Sequence, residues 1–318
     1  MAFTNSVPGT HPIESTKTPP APRIIAHFDR AAGQTAESVV VEPDGSADVG
    51  FIVSRQLAHV TNEGYVQILA TMPLPADGGK STPTGQASVT GVERTKDGTL
   101  YFLYSAGDSA LTGLWRLHRG GKPVRIAAMP ATSFLNGLTR DEHTGNFYIT
   151  DSALGRIWKV GPLGGKATAW AVRPSLAPTT FFGANGVKVH DHAVWASNLD
   201  QGTIVRIPIT RSGAAGPDKV EVTGLDSVDD FAFTGRGDQL LAALNIPSQL
   251  ALINPGKPPV IVLDSGDGLQ NTTAVAVHSG MVYVTSGALS TGGDANLLTA
   301  PVRMFPLNAV SRTAPRPA

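Results

Sequence analysis

FLNGLTRDEHTGNFYITDSALGRIWKV, residues 134–160, holds three β-prone runs in succession. Gly137-Leu138-Thr139 leads into the turn Asp141-Glu142-His143-Thr144-Gly145. A second apolar run follows at 146–152, and a third at 155–160 closes on a hydrophobic-basic pattern. Short runs rich in branched and aromatic residues, separated by aspartate and glycine, read as an antiparallel meander. FFGANGVKVHDHAVWASNLDQGTIVRI, residues 181–207, runs the same plan again.

The entrance to this meander recurs along the chain as Glu37-Ser38-Val39, Thr90-Gly91-Val92, Asn136-Gly137-Leu138, Asn185-Gly186-Val187, Asp229-Asp230-Phe231 and Thr273-Ala274-Val275. Its separations of 53, 46, 49, 44 and 44 residues match the period of a four-stranded propeller blade. The chain therefore reads as all-β, a six-bladed β-propeller with four-stranded antiparallel blades and a central metal site. A β-sandwich is the structural rival, but it requires no six equivalent strand entrances. Tyr101, Tyr148, Trp195 and Tyr283 fall at matched second-strand positions and are expected to pack between blades. An open edge invites pairing with other chains, so residues 23–28 are expected to complete the last blade beside Val302-Arg303-Met304-Phe305. Residues 1–22, with five prolines, read as a flexible arm, 23–307 as one propeller domain and 308–318 as a flexible tail.

Lysine plus arginine equals aspartate plus glutamate at 25 each in the 318 residues, without a basic block. The field that would gather a polyanion is missing, and nucleic acid is not an expected partner. The chain has no cysteine, which removes disulfides, thiolate zinc sites and cysteine nucleophiles together. No secretory leader or membrane span is visible. The expectation is no membrane insertion and a cytoplasmic location if the chain is complete, or an extracytoplasmic one if a signal peptide has been removed. Asn271-Thr272-Thr273 is a glycosylation sequon in form only, a pattern common by chance.

Ring closure would bring Glu37, Asn136, Asn185 and Asp229 to one axial level, where their oxygens suit a hard cation. Calcium is the first expectation, with water completing six to eight ligands; magnesium, manganese and zinc are the alternatives. Two carboxylates in a partly dry cavity repel, and a divalent ion removes that penalty. Asp230 is a further ligand, a group that orients water, or a strand terminator.

Phe134-Leu135-Asn136-Gly137-Leu138, Phe147-Tyr148-Ile149-Thr150-Asp151-Ser152, Arg156-Ile157-Trp158-Lys159-Val160 and Ala184-Asn185-Gly186-Val187 together resemble the Pro-Asn-Gly, Tyr-Val-Ala-Asp and Ile-Trp-Arg-Val signatures of one superfamily. This is the six-bladed propeller group of senescence marker protein-30, gluconolactonase and luciferin-regenerating enzyme, with paraoxonase and strictosidine synthase as more distant fold relatives. The resemblance spans roughly residues 24–307. It implies Glu37, Asn185 and Asp229 as metal ligands, Asn136 close to metal or substrate, and Asp230 as the residue that reaches the ion in paraoxonase-like members. Leu135 and Ala184 stand where the motif often has proline, and Glu37-Ser38 lacks the usual glycine. The resemblance thus carries fold and metal rather than a sugar-lactone specificity.

A cation with an open position polarises a lactone or ester carbonyl and stabilises the oxyanion formed when water attacks. The expected function is a metal-dependent lactonase or esterase acting on a small carbonyl compound, with Asp229, then Asp230, as proton acceptor and Asn136 beside them. A metal-dependent cyclase, isomerase or lyase is the alternative, and a binding or scaffold propeller the third class. Phe134, Phe181 and Phe182 are expected to form an apolar rim, and Thr90 and Thr273 to donate hydrogen bonds to substrate or metal-bound water. None of the histidines reads as a catalytic base.

Overall fold

A computed structural model describes residues 21–305 of the chain. The expected arm and tail lie outside the described residues, apart from Ala21 and Pro22. Six four-stranded antiparallel sheets form the blades. Their inner strands are Ala36–Val41, Ser88–Arg94, Leu135–Arg140, Ala184–His190, Val228–Phe233 and Thr272–His278. Neighbouring inner strands touch all the way round, the first against the last, so the ring is closed. No helix of the described residues is long and apolar enough to cross a membrane.

Closure uses the N-terminal strand Arg23–His27, as expected, but its partner is Asn296–Pro301, with Arg23 opposite Thr299 and His27 opposite Asn296. Residues Val302–Met304 form a 3-10 turn instead. Pro301 ends the strand because it brings no N–H to the ladder, and the next amide turns away to donate to Gly280 O at 2.9 Å.

The core consists of six apolar wedges, one between each pair of adjacent blades. A face of one sheet can shed water only against its neighbour, which is why second-strand residues alternate so little in burial. The matched aromatics serve these seams. Tyr101 packs on Phe147 of the next blade at 4.7 Å between ring centres, Trp195 on Phe233 at 5.3 Å, and the Tyr283 hydroxyl donates to Gly45 O of the first blade at 3.0 Å.

Hydroxyl groups fasten blade to blade near the axis. Ser38 Oγ donates to Thr90 O at 2.9 Å, Thr90 Oγ1 to Leu135 O at 2.7 Å, Ser152 Oγ to Ala184 O at 2.7 Å, and Ser197 Oγ to Asp229 O at 2.8 Å. Thr273 Oγ1 closes the circle onto Ala36 O at 3.0 Å. Ser38, where a glycine is usual, is accommodated by Gly50 opposite, where an added Cβ would lie 2.9 Å from Ser38 Oγ. Thr273→Val keeps the shape but strands a buried acceptor, a loss of about 1–3 kcal/mol. Urea unfolding should show it as a lowered midpoint; an unchanged midpoint would mean the last-to-first latch contributes nothing.

Candidate metal centre

Every inner strand is irregular at its entrance. The pairing register jumps between Ala36 and Ser38, Val89 and Val92, Leu135 and Leu138, Ala184 and Val187, Val228 and Phe231, and Thr272 and Ala274. A bulge lifts its extra residue out of the ladder and re-aims the side chain. The six bulged stretches contain Glu37, Thr90, Asn136, Asn185, Asp229 and Thr273, the six entrance residues.

Glu37, Asn136, Asp229, Asp230, Thr273 and Lys188 all line one axial cavity of about 30 Å³. That is roughly the space of a single water molecule, so it suits an ion and no organic substrate. Asn185 is buried beside it. Its Oδ1 has no hydrogen-bond partner. Asn245 Nδ2 donates to Asp229 Oδ2 at 2.8 Å and orients that carboxylate.

The charges here are unbalanced. Burial first, then the Asp230 charge, pushes the Asp229 carboxyl up to about 8 against the opposing hydrogen bonds of Asn245 and Asn185. Burial, followed by Asp229 and Asp230, also raises Glu37 well above the usual carboxylate range. Lys188 offers the one ammonium lining the cavity, and it is committed to Asp230 Oδ1 at 2.7 Å. Fully ionised, three carboxylates against one ammonium would leave two negative charges in excess, a state that a divalent cation can stabilise and that the ion-free site avoids by holding protons. Glu37, Asn136, Asn185 and Asp229 therefore fit a hard divalent ion, with Asp230 held away from that role by its lysine.

The residues expected to touch substrate are placed differently. Thr90 is wholly buried and Thr273 nearly so, and both hydroxyls are spent on the blade latches. Phe134 is 1% exposed, stacked under Phe182 with ring centres 4.7 Å apart, and so forms no rim. Phe182 is half-buried, and Phe181, 60% exposed, faces solvent. It lines a separate hollow of about 550 Å³ with Ile246, Asp200 and Ser227. Sequence reading missed Asn245, which follows an unremarkable apolar strand, and Lys188, whose signal was a lone lysine between Val187 and Val189 on an inner strand.

The loop that carries Phe181 is held by Asp200. Its Oδ2 accepts the backbone amides of Thr179, Thr180 and Phe181 at 2.7–2.8 Å, and its Oδ1 that of Phe182 at 3.2 Å. Burial works to raise this carboxyl, but the four amides outweigh it and lower it from 3.8 to about 2. A depressed folded-state pKa gives stability that is complete above the unfolded value and is lost as pH falls through the folded one. Wild type minus Asp200→Asn should therefore show a stability difference that is constant above about pH 4 and fades toward pH 2. Acid titration of thermal melting tests this; a difference independent of pH would remove the amide nest as its cause.

Among the described residues, one group of three acidic or histidine side chains brings a ligand atom from each within 4.8 Å of the others: Glu42, Asp48 and His59. This buried cluster can hold a divalent ion, but it is not at the axis. Sequence reading did not single out Glu42, Asp48 or His59 as ligands. The signal was Asp48 and His59 falling at facing positions of adjacent strands.

No family model matches the sequence, and no curated protein matches it significantly. Solved structures do. A gluconolactonase of Xanthomonas campestris is 14% identical, with 89% of this chain and 96% of that chain covered at a TM-score of 0.63. Regucalcin, a calcium-binding protein of Agrobacterium tumefaciens, is 15% identical, with 88% and 93% covered at 0.65. Virginiamycin B lyase of Staphylococcus aureus is 12% identical, with 87% and 98% covered at 0.58. At these identities the likeness is one of fold. The chain is a six-bladed β-propeller related in architecture to the gluconolactonase and regucalcin structures.

Proposed function

We propose that the protein is a divalent-cation-dependent hydrolase of a lactone or ester, working at the mouth of the axial cavity. The observation that carries this reading is the unpartnered Asn185 Oδ1, buried beside three carboxyl groups that share a single ammonium. Calcium suits an all-oxygen donor set best. The names gluconolactonase and regucalcin, borne by proteins of the same architecture, favour this class of chemistry.

Glu37, Asn136, Asn185 and Asp229 would hold the ion, which when bound supplies Lewis-acid polarisation of the carbonyl and a more acidic water. Asn245 fixes the plane of the Asp229 carboxylate. Asp229, the axial carboxylate whose orientation Asn245 fixes, is the leading proton acceptor. Asp230 keeps Lys188 in place and balances its charge. The axial cavity is too small for substrate, so the carbonyl compound would rest above it. Phe181 is the exposed apolar group on the adjoining loop.

The test is a panel of aliphatic and sugar lactones and simple esters, assayed with calcium, magnesium, manganese or zinc after chelation. Metal-dependent turnover of any member supports the reading. Metal binding at the axis without turnover across the panel would transfer the site to a non-hydrolytic carbonyl reaction such as elimination or isomerisation.

A further inference from the structure

Glu42, Asp48 and His59 are assembled by strand register. Val40, Asp48, His59 and Gln67 are successive cross-strand partners in the first blade, so they stand on one face. Glu42 lies two residues beyond Val40, on the same side. This face looks across a hollow of about 550 Å³ toward Leu100, Leu117 and His118 of the second blade. Glu42 sits at the end of its strand away from Glu37, and the hollow shares no lining residue with the axial cavity.

Asp48 has an unmet need. Its side chain is 2% exposed and lines the hollow; Oδ1 lies 2.9 Å from His59 Nδ1, and Oδ2 has no partner. An ionised carboxylate oxygen buried without a partner is costly. Arg94 of the second blade makes no hydrogen bond to Asp48; its Nη2 pairs with Glu42 Oε2 at 2.6 Å. That contact also fixes the Glu42 carboxylate, as an outer-shell partner does for a metal ligand.

We propose that Glu42, Asp48 and His59 form a second metal site, between the first and second blades on the face opposite the strand entrances, for a divalent transition ion of the zinc class. One imidazole with two carboxylates suits zinc or manganese better than calcium, which prefers oxygen alone. Three protein ligands beside an open hollow match sites that keep a coordination position for water or another ligand. His118, whose Nδ1 lies 3.0 Å from Thr99 Oγ1, lines the same space. The site needs neither the axial ion nor the proposed hydrolysis.

Zinc chloride titrated calorimetrically into the full chain in excess calcium tests it, with far-UV dichroism to verify folding. One zinc equivalent is expected in wild type and in Asn185→Ala, weakened at least about tenfold in His59→Gln and in Asp48→Asn. Glu42→Gln replaces either variant that fails to fold. Equal zinc affinity in wild type and both variants, no zinc equivalent in wild type, or loss of the equivalent in Asn185→Ala would each overturn the proposal.

Discussion

Asn185→Ala is expected to weaken calcium binding at the axis by ~100-fold or more while leaving the fold intact. Loss of even an outer partner of a metal ligand typically costs roughly 10–100-fold, and in the proposed site Asn185 would be a ligand itself. Its Oδ1 accepts nothing from the protein, so truncation strands no donor at that atom. Asp229→Asn sharpens the contrast. It removes a buried carboxylate that repels Glu37 and Asp230, so the metal-free protein should melt at the same temperature or higher, although the ion site is lost. Calcium at a hundredfold over its dissociation constant stabilises a one-site protein by about 2.7 kcal/mol. Thermal melts with chelator and with calcium should therefore separate by several degrees in wild type and coincide in both variants. A full calcium-dependent shift in both folded variants would remove these residues from the ion. Turnover on the lactone panel should fall with the shift; turnover that survives without metal would end the proposed mechanism.

Gly137→Val is expected to be strongly disruptive. A Cβ at Gly137 would lie 2.4 Å from Asn185 O and 2.8 Å from Val187 N, both backbone atoms of the next blade. Neither can move aside without opening the seam between the third and fourth blades. Overpacking of well-packed sites costs typically about 1–3 kcal/mol, and contact with backbone on a closed ring puts this substitution at the top of that range or beyond. Gly161→Ala is the control, since its nearest neighbour would be Gly164 O at 3.6 Å. Urea unfolding of the pair should show a large loss for Gly137→Val and little for Gly161→Ala. Equal stabilities would mean the inner strands are not in the close register described. The same change should also displace Asn185, whose carbonyl would be struck directly, and so reduce calcium binding in any fraction that folds.

The Asn-Gly pairs thus have two functions that a sequence can announce only together. Asn136 and Asn185 stand at bulges where a side chain can reach the axis, and Gly137 and Gly186 allow the next blade to approach. An added Cβ at Gly186 would lie 2.5 Å from Asp230 Oδ1. Their repetition at a blade-length spacing was legible because the same local geometry had to be made each time. The threonines at equivalent entrances were misleading for the same reason. Thr90 and Thr273 occupy the matching bulges, but their hydroxyls reach the carbonyl of the neighbouring blade before anything outside the chain. Phe134 was read as a rim because it precedes Asn136, but the stacked Phe182 covers it.

What the sequence by itself determined is the number of blades and the strand entrances, because each arises from a short local pattern repeated six times. What only the tertiary structure decided is which charges meet. The pairing of Lys188 with Asp230, the support of Asp229 by Asn245, and the meeting of Arg94 with Glu42 join residues from different strands or blades. The position of Asp48 opposite His59 is likewise set by strand register. Strand periodicity tells which way a side chain points within its sheet, but its electrostatic partner depends on the distance to the next element, and that distance exists only after the ring has closed.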